Sequence, residues 1–448
     1  MRVLKFGGTS VGKPERMKQV AVLIDDGVQK VVVLSAVSGT TNSLVAINEA
    51  YKKQGVVAAH QLINQLEATY YPFIDQLYKA EAAHAKAKEF IQKKFDFLRS
   101  FDAASFDVDD EKMILAQGEL LSTNMFVFYA QEIGLNAVLI PALEFMKTAE
   151  GEPDLDYIAK AVEQTLKQTP KADYYITQGY ICKNERGAVD NLRRGGSDYT
   201  ATLLGAATQS DEIQIWTDID GVHNNDPRIV KNTFPIHELS FAEAAELAYF
   251  GAKILHPSCV LPAQKEGVPV KLLNTMEPNA KGTVISRNTS SSKGIAKAIA
   301  AKDGITAIKI ISTRMLNAYG FLKRVFEVFE NYKTPIDMIT TSEVAVSLTI
   351  DDDKNLDAIL KELNAFGTVE TDKNQTIICV VGNFNHQDKG SAAKVLDTIK
   401  HIPLRMISSG GSASNISILL GTQYKEDALV SLHKGLFVEE IRRRQAAN

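Results

Sequence analysis

Two patterns of apolar residues divide the chain. From the N-terminus to about residue 285, short β-branched runs alternate with longer segments whose apolar residues recur at helical spacing. The predicted strands include RVLKF at 2–6, KVVVLSAV at 30–37, DYYITQGYI at 173–181 and EIQIWTDIDGV at 212–222. Because these runs are largely apolar and helices separate them, the pattern predicts an α/β domain with a parallel sheet covered on both faces.

A helical insertion and a repeated C-terminal region complete the pattern. The segment from Gln54 to Glu111 is rich in Ala, Lys and Glu and is predicted to be helical. After the polar stretch at 286–294, DMITTSEVAVSLTI from Asp337 resembles RMISSGGSASNISILL from Arg405. Each repeat predicts a ferredoxin-like α+β unit. We therefore expect domains at 1–285, 305–375 and 376–448, with 286–304 as the linker into the repeats.

Composition and charge exclude several classes of function. Of 448 residues, 45% are hydrophobic and 23% are charged, which is typical of a soluble globular protein. The net charge of −4 gives no basic field, so nucleic acid is not an expected partner. The three cysteines lack metal-ligand spacing, so we expect no metal site in the protein and a reducing compartment. The longest apolar runs are strand-length, so we expect no membrane partner and a cytoplasmic location.

The first glycine pair, Gly7–Gly8, follows the first strand directly. Glycines between a strand and a helix let backbone N–H groups approach phosphate oxygens, and Lys5 adds a point charge beside them. The lysine precedes the glycines, so this is not a P-loop. The alternative is a tight turn with a surface lysine. We favour the phosphate site.

A second glycine pair, Gly195–Gly196, follows Arg193 and Arg194 and precedes a predicted helix. Arginine beside a helix N-terminus makes a local anion site. The alternative is an ordinary capped helix with two surface arginines, which would have the same sequence pattern. Two such sites in one α/β domain indicate one for nucleotide phosphate and one for an anionic acceptor. The residues therefore predict a phosphoryl-transfer enzyme without a P-loop, which acts by positioning and charge neutralisation.

Three further stretches carry weaker signals. WTDIDGVHNNDPR at 216–228 follows a strand end, where open parallel sheets bind ligands, but an ordinary loop is an equal alternative. Lys253 lies at a predicted helix end, where a lysine commonly complements the helix dipole. Glu119 lies in a helical segment, and by default it would be solvated.

Taken together, KFGGTS, GELLST, RRGGSDYTA, WTDIDGVHNNDPR and FGAKILHP, followed by paired repeats, resemble the aspartate kinase family over essentially the whole chain. The resemblance implies an amino-acid-kinase αβα sandwich with a mainly parallel sheet, joined to two ACT domains. It implies transfer of the γ-phosphoryl group of ATP to the side-chain carboxylate of L-aspartate, giving 4-phospho-L-aspartate, with Mg²⁺ carried mainly by the nucleotide. This is the first step towards lysine, threonine, methionine and isoleucine. The chain looks like a monofunctional member, and a homodimer or higher oligomer through the ACT domains is expected.

The resemblance also implies residue roles. Lys5 would stabilise the transferring phosphoryl group, and Asp198 would organise the catalytic centre. His223 stands where family members often have tyrosine. The implied nucleotide contacts are Lys5, Phe6, Gly7, Gly8, Thr217, Asp218, His223, Arg228, Lys253 and Ile254. The implied aspartate contacts are Thr41, Glu119, Arg194, Gly195, Gly196 and Ser197.

Part of the first repeat resembles the effector site of lysine-inhibited members. Lysine is therefore the predicted inhibitor, and the alternative is that this strand and turn only form an interface. Two rival functions stay open: another kinase of the same fold that acts on glutamate or acetylglutamate, and a non-catalytic amino-acid sensor. The effector residues implied are Met315, Ala318 (in place of a serine found in some relatives), Phe321, Leu322, Asp337, Ser342 and Glu343.

Overall fold

A computed structural model describes residues 1–192, 195–251, 255–287, 289, 296–315, 319–384, 389–438 and 442. The chain forms two compact units. The first comprises Met1–Val222, His237–Phe241 and Leu255–Thr289, and the second comprises His223–Ile236, Ala242–Ile254 and Ser290–Asn448. Two segments expected in the first domain, His223–Ile236 and Ala242–Ile254, thus group with the repeats. In the first of them, Val230 and Phe234 join the apolar core of the second repeat.

The first unit is built on one large sheet. Its elements are β1 (Arg2–Phe6), α1 (Pro14–Ile24), β2 (Lys30–Leu34), α2 (Thr40–Lys53), α3 (Val56–Leu77), α4 (Glu81–Arg99), α5 (Val108–Glu132), β3 (Ala137–Leu139), α6 (Ala142–Phe145), β4 (Thr148–Ala149), β5 (Glu152–Pro153), α7 (Leu155–Gln168), β6 (Tyr174–Gln178), β7 (Ile181–Lys183), β8 (Val189–Asn191), α8 (Gly196–Ala207), β9 (Ile213–Thr217), β10 (Glu238–Ser240), α9 (Phe241–Tyr249, mostly in the second unit), α10 (Pro257–Glu266), β11 (Val270–Asn274) and β12 (Thr283–Ser286).

In the described residues, eight strands form the sheet in the order β10–β12–β11–β9–β1–β2–β6–β3. Only the β11–β12 pairing is antiparallel, so the predicted mainly parallel sheet is confirmed. Consecutive residues of β1, Val3 and Leu4, point to opposite faces and are both buried, so both faces of the sheet are covered. The predicted insertion is helical as well, since α3, α4 and the start of α5 fill it.

The second unit carries the repeats on an antiparallel sheet. Its remaining elements are β13 (Ala296–Ile311), α11 (Phe321–Asn331), β14 (Ile339–Thr341), β15 (Ala345–Ile350), α12 (Leu356–Leu363), β16 (Thr368–Gly382), α13 (Ser391–Thr398), β17 (Met406–Ser409), β18 (Asn415–Gly421) and α14 (Lys425–Leu436). Among the described residues the strand order is β14–β15–β13–β16–β18–β17.

Strands β13 and β16 are shared by the two repeats. The end of β13 pairs with β15 in the first repeat, whereas its start pairs with the part of β16 that also pairs with β18 in the second. Residues 296–304, expected in the linker, therefore include the start of a sheet strand. Their alanine-rich sequence contains only one β-branched residue, Ile299, so it does not show the pattern that predicts a strand. The two repeats have separate apolar cores, as two similar units require.

None of the helices in the described part of the chain is long and apolar enough to cross a membrane.

Candidate active site

A cleft of about 790 Å³ lies in the first unit, at the carboxyl ends of the central parallel strands. Open parallel sheets bind ligands at this edge, because the loops after neighbouring strands meet there. Chain segments after β1, β2 and β9 contribute, together with the beginnings of α2 and α8. The lining residues are Lys5, Gly8, Thr9, Ser35, Ala36, Val37, Ser38, Gly39, Thr41, Glu119, Tyr180, Gly195, Gly196, Ser197, Asp198, Thr217 and Asp218.

Two helix N-termini open into this cleft. Helix α2 begins after Gly39, with φ 88°, and helix α8 begins after Gly195, with φ 73°. Glycine is favoured at both positions because side chains rarely adopt this left-handed conformation. Neither helix start is capped by a side chain in the described structure, so first-turn N–H groups remain available to a ligand. The two helix dipoles and these donors make the cleft suited to anions.

Lys5 and Asp198 form an ion pair across the cleft. The Lys5 Nζ lies 2.6 Å from Asp198 Oδ1, and both side chains are mostly buried. Lys5 is the fourth residue of β1, where it lies between Val33 of β2 and Ile215 of β9 in the register. Asp198 stands in the first turn of α8. The lysine inside an apolar strand is thus compensated by a carboxylate from the second glycine motif, and its cationic head reaches the anion site.

Glu119 is the buried carboxyl of the cleft. It projects from α5 with 4% of its surface exposed, which contradicts its default reading as a solvated residue. Burial raises the pKa of Glu119 to about 8, although the backbone N–H of Ala36, which donates to Oε1 at 3.2 Å, opposes the shift. The other oxygen, Oε2, has no hydrogen-bond partner within the described residues. A cationic donor in the cleft would satisfy it.

The segment after β6 shows close backbone approach and strain. A Cβ on Gly179 would lie 2.4 Å from Ser197 Oγ, so only glycine lets this segment pack against the start of α8. Tyr180 then has φ 66°, which is unfavourable for a bulky residue, and its N–H donates to Thr200 Oγ1 at 3.1 Å. Strain of this kind is concentrated at functional sites.

Comparison with known proteins decides the family. Residues 1–274 match the amino acid kinase family, and residues 308–361 and 378–436 match the ACT domain. Chloroplastic aspartokinase 1 of Arabidopsis thaliana is 36% identical, over 97% of this chain and 80% of its own length. Lysine-sensitive aspartokinase 3 of Escherichia coli is 31% identical, over 97% of this chain and 99% of its own. The chain belongs to the aspartokinase family.

A solved structure agrees with this assignment. The crystal structure of E. coli aspartokinase III in complex with aspartate and ADP matches this aspartokinase with a TM-score of 0.83 and 31% identity, over 98% of this chain and 100% of the other. The predicted fold and activity are confirmed: the protein is an α/β amino acid kinase with ACT domains that phosphorylates the side-chain carboxyl of aspartate. Whole-chain similarity to aspartokinases weighs against both rival functions.

Several predicted nucleotide contacts of this aspartokinase do not line the cleft. The Phe6 ring is buried and stacks on Trp216 at 5.8 Å, while the Gly7 N–H donates to Trp216 O at 3.2 Å. His223 and Arg228 belong to the second unit. The His223 Nδ1 shares a hydrogen bond with Thr233, and the Arg228 guanidinium donates to Asp226 at 2.9 and 2.7 Å. The predicted contacts Arg194, Lys253 and Ile254 lie outside the described residues.

The cleft also contains residues that sequence reasoning missed. Their signals were weak, because Ser, Gly and Tyr after a strand are ordinary loop residues. For Tyr180, the glycine before it at the end of a buried strand was the available clue. The missed lining residues are Thr9, Ser35, Ala36, Val37, Ser38, Gly39 and Tyr180.

The predicted effector residues lie around β14 and the start of α11. Asp337 precedes β14 and its side chain is fully buried, whereas Ser342 and Glu343 are exposed in the turn after β14. Phe321 belongs to the apolar core of the first repeat, and Met315 packs against that core. Leu322 is partly exposed on α11, and Ala318 lies outside the described residues.

Proposed function

We propose that phosphoryl transfer occurs in the cleft around the Lys5–Asp198 pair. This pair carries the proposal, because it joins the phosphate-binding glycine motif of β1 to the N-terminus of α8. An oxygen of the aspartate side-chain carboxylate forms a bond to the γ-phosphorus, the bond to the β–γ bridging oxygen breaks, and ADP leaves with that electron pair. Lys5 neutralises charge on the moving phosphoryl group, and Asp198 holds the Lys5 amine in position.

The proposed binding position of the acceptor, L-aspartate, is on the Glu119 side of the cleft. The free Oε2 of Glu119 supports a contact with the α-ammonium of L-aspartate. The uncapped N-terminus of α8, with Gly195, Gly196 and Ser197, suits its carboxylates. Thr41 at the start of α2 and Arg194 complete the proposed acceptor contacts.

The proposed binding position of the phosphoryl donor, ATP, is beside β1 and β9. Lys5 and Gly8 would contact the ATP phosphates, with Thr217 and Asp218 at the end of β9 nearby in the lining. Carboxylates such as Asp198 and Asp218 suit a hard cation, so the cleft fits Mg²⁺ carried mainly by the nucleotide. The remaining proposed nucleotide contacts rest on the family resemblance alone: Phe6, Gly7, His223, Arg228, Lys253 and Ile254.

We also propose that L-lysine inhibits the enzyme through the first repeat. The relative in E. coli is named lysine-sensitive, and a solved structure of that protein contains lysine and aspartate. Asp337 and Glu343 offer negative charge for an ammonium group.

A homodimer or higher oligomer through the repeats would complete that effector site. Asp337 and Ser342 stand at opposite ends of β14, separated by roughly 16 Å of extended chain, which exceeds the length of a lysine molecule. The exposed apolar side chains of Tyr319, Leu322 and Phe326 provide a surface for a second copy.

An ADP-release assay tests the proposed acceptor and effector. We expect ADP release to require L-aspartate, to be weak with L-glutamate, and to fall when L-lysine is added. Equal rates with both acceptors would contradict the acceptor site. A rate unchanged by millimolar lysine would contradict the proposed inhibitor.

A further inference from the structure

Asp337 is engaged by a lysine of its own chain. The Lys302 Nζ lies 2.8 Å from Asp337 Oδ1 and 2.8 Å from Asp351 Oδ2. The hydroxyl of Tyr249 donates to the same Asp337 oxygen at 2.5 Å, and the Lys302 amine lies 4.3 Å from the centre of the Tyr249 ring. An internal ammonium therefore already contacts one oxygen, Oδ1, of the carboxylate that an effector ammonium would use.

The second repeat carries the same pair with its charges exchanged. The strands TAIKIIS at 306–312 and TIICVVG at 376–382 correspond, as do the Met-Ile pairs at 338 and 406. In this alignment Lys302 corresponds to Asp372, and Asp337 corresponds to Arg405. The Arg405 Nε lies 2.7 Å from Asp372 Oδ2. The sheet register agrees, because Lys302 pairs with Ile377 and the corresponding Asp372 pairs with Ala307. An ion pair at this position is thus a feature of the fold, and its polarity differs between repeats.

The local charge differs as well. In the first repeat two carboxylates, Asp337 and Asp351, face one ammonium, which leaves one negative charge. In the second repeat Gly421 corresponds to Asp351, so the Arg405–Asp372 pair is balanced. Asp337 Oδ2 is buried and has no hydrogen-bond partner in the described part of the chain. The first repeat therefore has both an excess negative charge and a buried free acceptor for one more cation, whereas the charges of the pair in the second repeat are balanced.

We propose that Lys302 is a tethered competitor of the effector ammonium. Its amine holds Asp337 when no effector is bound, and an ammonium-bearing amino acid binds against the repulsion of that fixed charge. This inference rests on the proposed lysine inhibition. Lys302 thereby sets the effector concentration at which the first repeat responds, and the second repeat, with Arg405 in place of Asp337, does not take an ammonium.

Calorimetric titration of the full-length protein with L-lysine tests this. We expect Lys302→Met to bind L-lysine about tenfold more tightly than wild type, the effect of removing one screened charge near the ligand. Lys302→Arg keeps the charge and should keep the wild-type affinity. Asp351→Asn removes the excess negative charge and should weaken binding several-fold. Because the Asp351 side chain is partly exposed, this variant should fold and can test the proposal even if Lys302→Met folds poorly. Arg405→Met breaks the corresponding pair in the second repeat and should leave the affinity unchanged.

The results distinguish the competitor role of Lys302 from the proposed inhibition by lysine. If wild type binds lysine and Lys302→Met binds it equally or more weakly, or if Asp351→Asn binds it as tightly as wild type, the competitor role is wrong and lysine inhibition stands. If wild type and every variant fail to bind millimolar lysine while the kinase is active, lysine is not the effector and the inference fails with it.

Discussion

Replacement of Glu119 by glutamine should have opposite effects on activity and stability. The amide keeps the shape of the side chain and an acceptor for the Ala36 N–H, but it removes the charge that would face the aspartate ammonium. A hydrogen bond to a charged group contributes ~1.5–3 kcal/mol, so kcat/KM for aspartate should fall roughly 10- to 150-fold above pH 8, where Glu119 is ionised. Most of the loss should appear in KM, because the ammonium does not take part in the reaction.

The stability effect follows from the pKa of Glu119, which rises from 4.5 in the unfolded chain to about 8 in the folded one. Below pH 4.5 both states hold the proton and the carboxyl costs nothing. As the pH rises towards 8, the unfolded state ionises first, and the free energy of unfolding falls by ~1.4 kcal/mol for each pH unit. At pH 7 this penalty is ~3 kcal/mol, and Glu119→Gln removes it. We therefore expect the variant to melt at a higher temperature than wild type at pH 7–8 and to lose that advantage near pH 4.5.

Steady-state kinetics and thermal melts across this pH range provide the assay, with the exposed Glu144→Gln as the matched control. Wild-type kcat/KM for aspartate should rise up to about tenfold for each pH unit below pH 8, as Glu119 ionises, and the variant should lack this rise. A Glu119→Gln enzyme with wild-type kcat/KM for aspartate above pH 8, where Glu119 is ionised, or with a stability difference independent of pH, would refute the reasoning.

Other predictions follow from the contacts of the cleft and the repeats. Gly179→Ala should lower both the melting temperature and kcat, because the added Cβ would lie 2.4 Å from Ser197 Oγ; a variant with unchanged kcat would show that the close approach is unimportant. Asp198→Asn should lower kcat by at least about 10²-fold with a smaller effect on KM for ATP, since Lys5 loses its partner; a change in KM alone would contradict the positioning role. L-lysine should inhibit the initial rate more strongly than L-threonine, as measured in a coupled assay, and the reverse order would reassign the effector.

The sequence predicted the fold well where strands and repeats leave a strong pattern. The apolar run of β1 and the paired Met-Ile segments at 338 and 406 identified a parallel sheet and two related units, because each pattern follows from burial. Residues 296–304 were harder, since an alanine-rich segment becomes a strand only through its pairing with β16. The grouping of 223–236 with the repeats likewise depends on long-range packing.

The candidate site was only partly predictable. The two glycine motifs predicted two anion sites and a role for Lys5, because anion sites require particular residues at particular spacings, whereas the predicted role of Asp198 came from the family resemblance. The burial of Glu119 and the strained backbone of Tyr180 arise from contacts between distant segments, and no local pattern reports them. The ion pair between Lys302 and Asp337 also needed the structure, since the two residues are far apart in sequence.

The most direct test of the central claim is ADP release by Lys5→Ala beside wild type, with aspartate present and absent. We expect wild type to release ADP only with aspartate, and the variant to lose at least about 10³-fold in kcat while it remains folded at the assay temperature. Near-normal, aspartate-dependent turnover in Lys5→Ala would show that the reaction does not depend on the Lys5–Asp198 pair, and the proposed mechanism would be wrong.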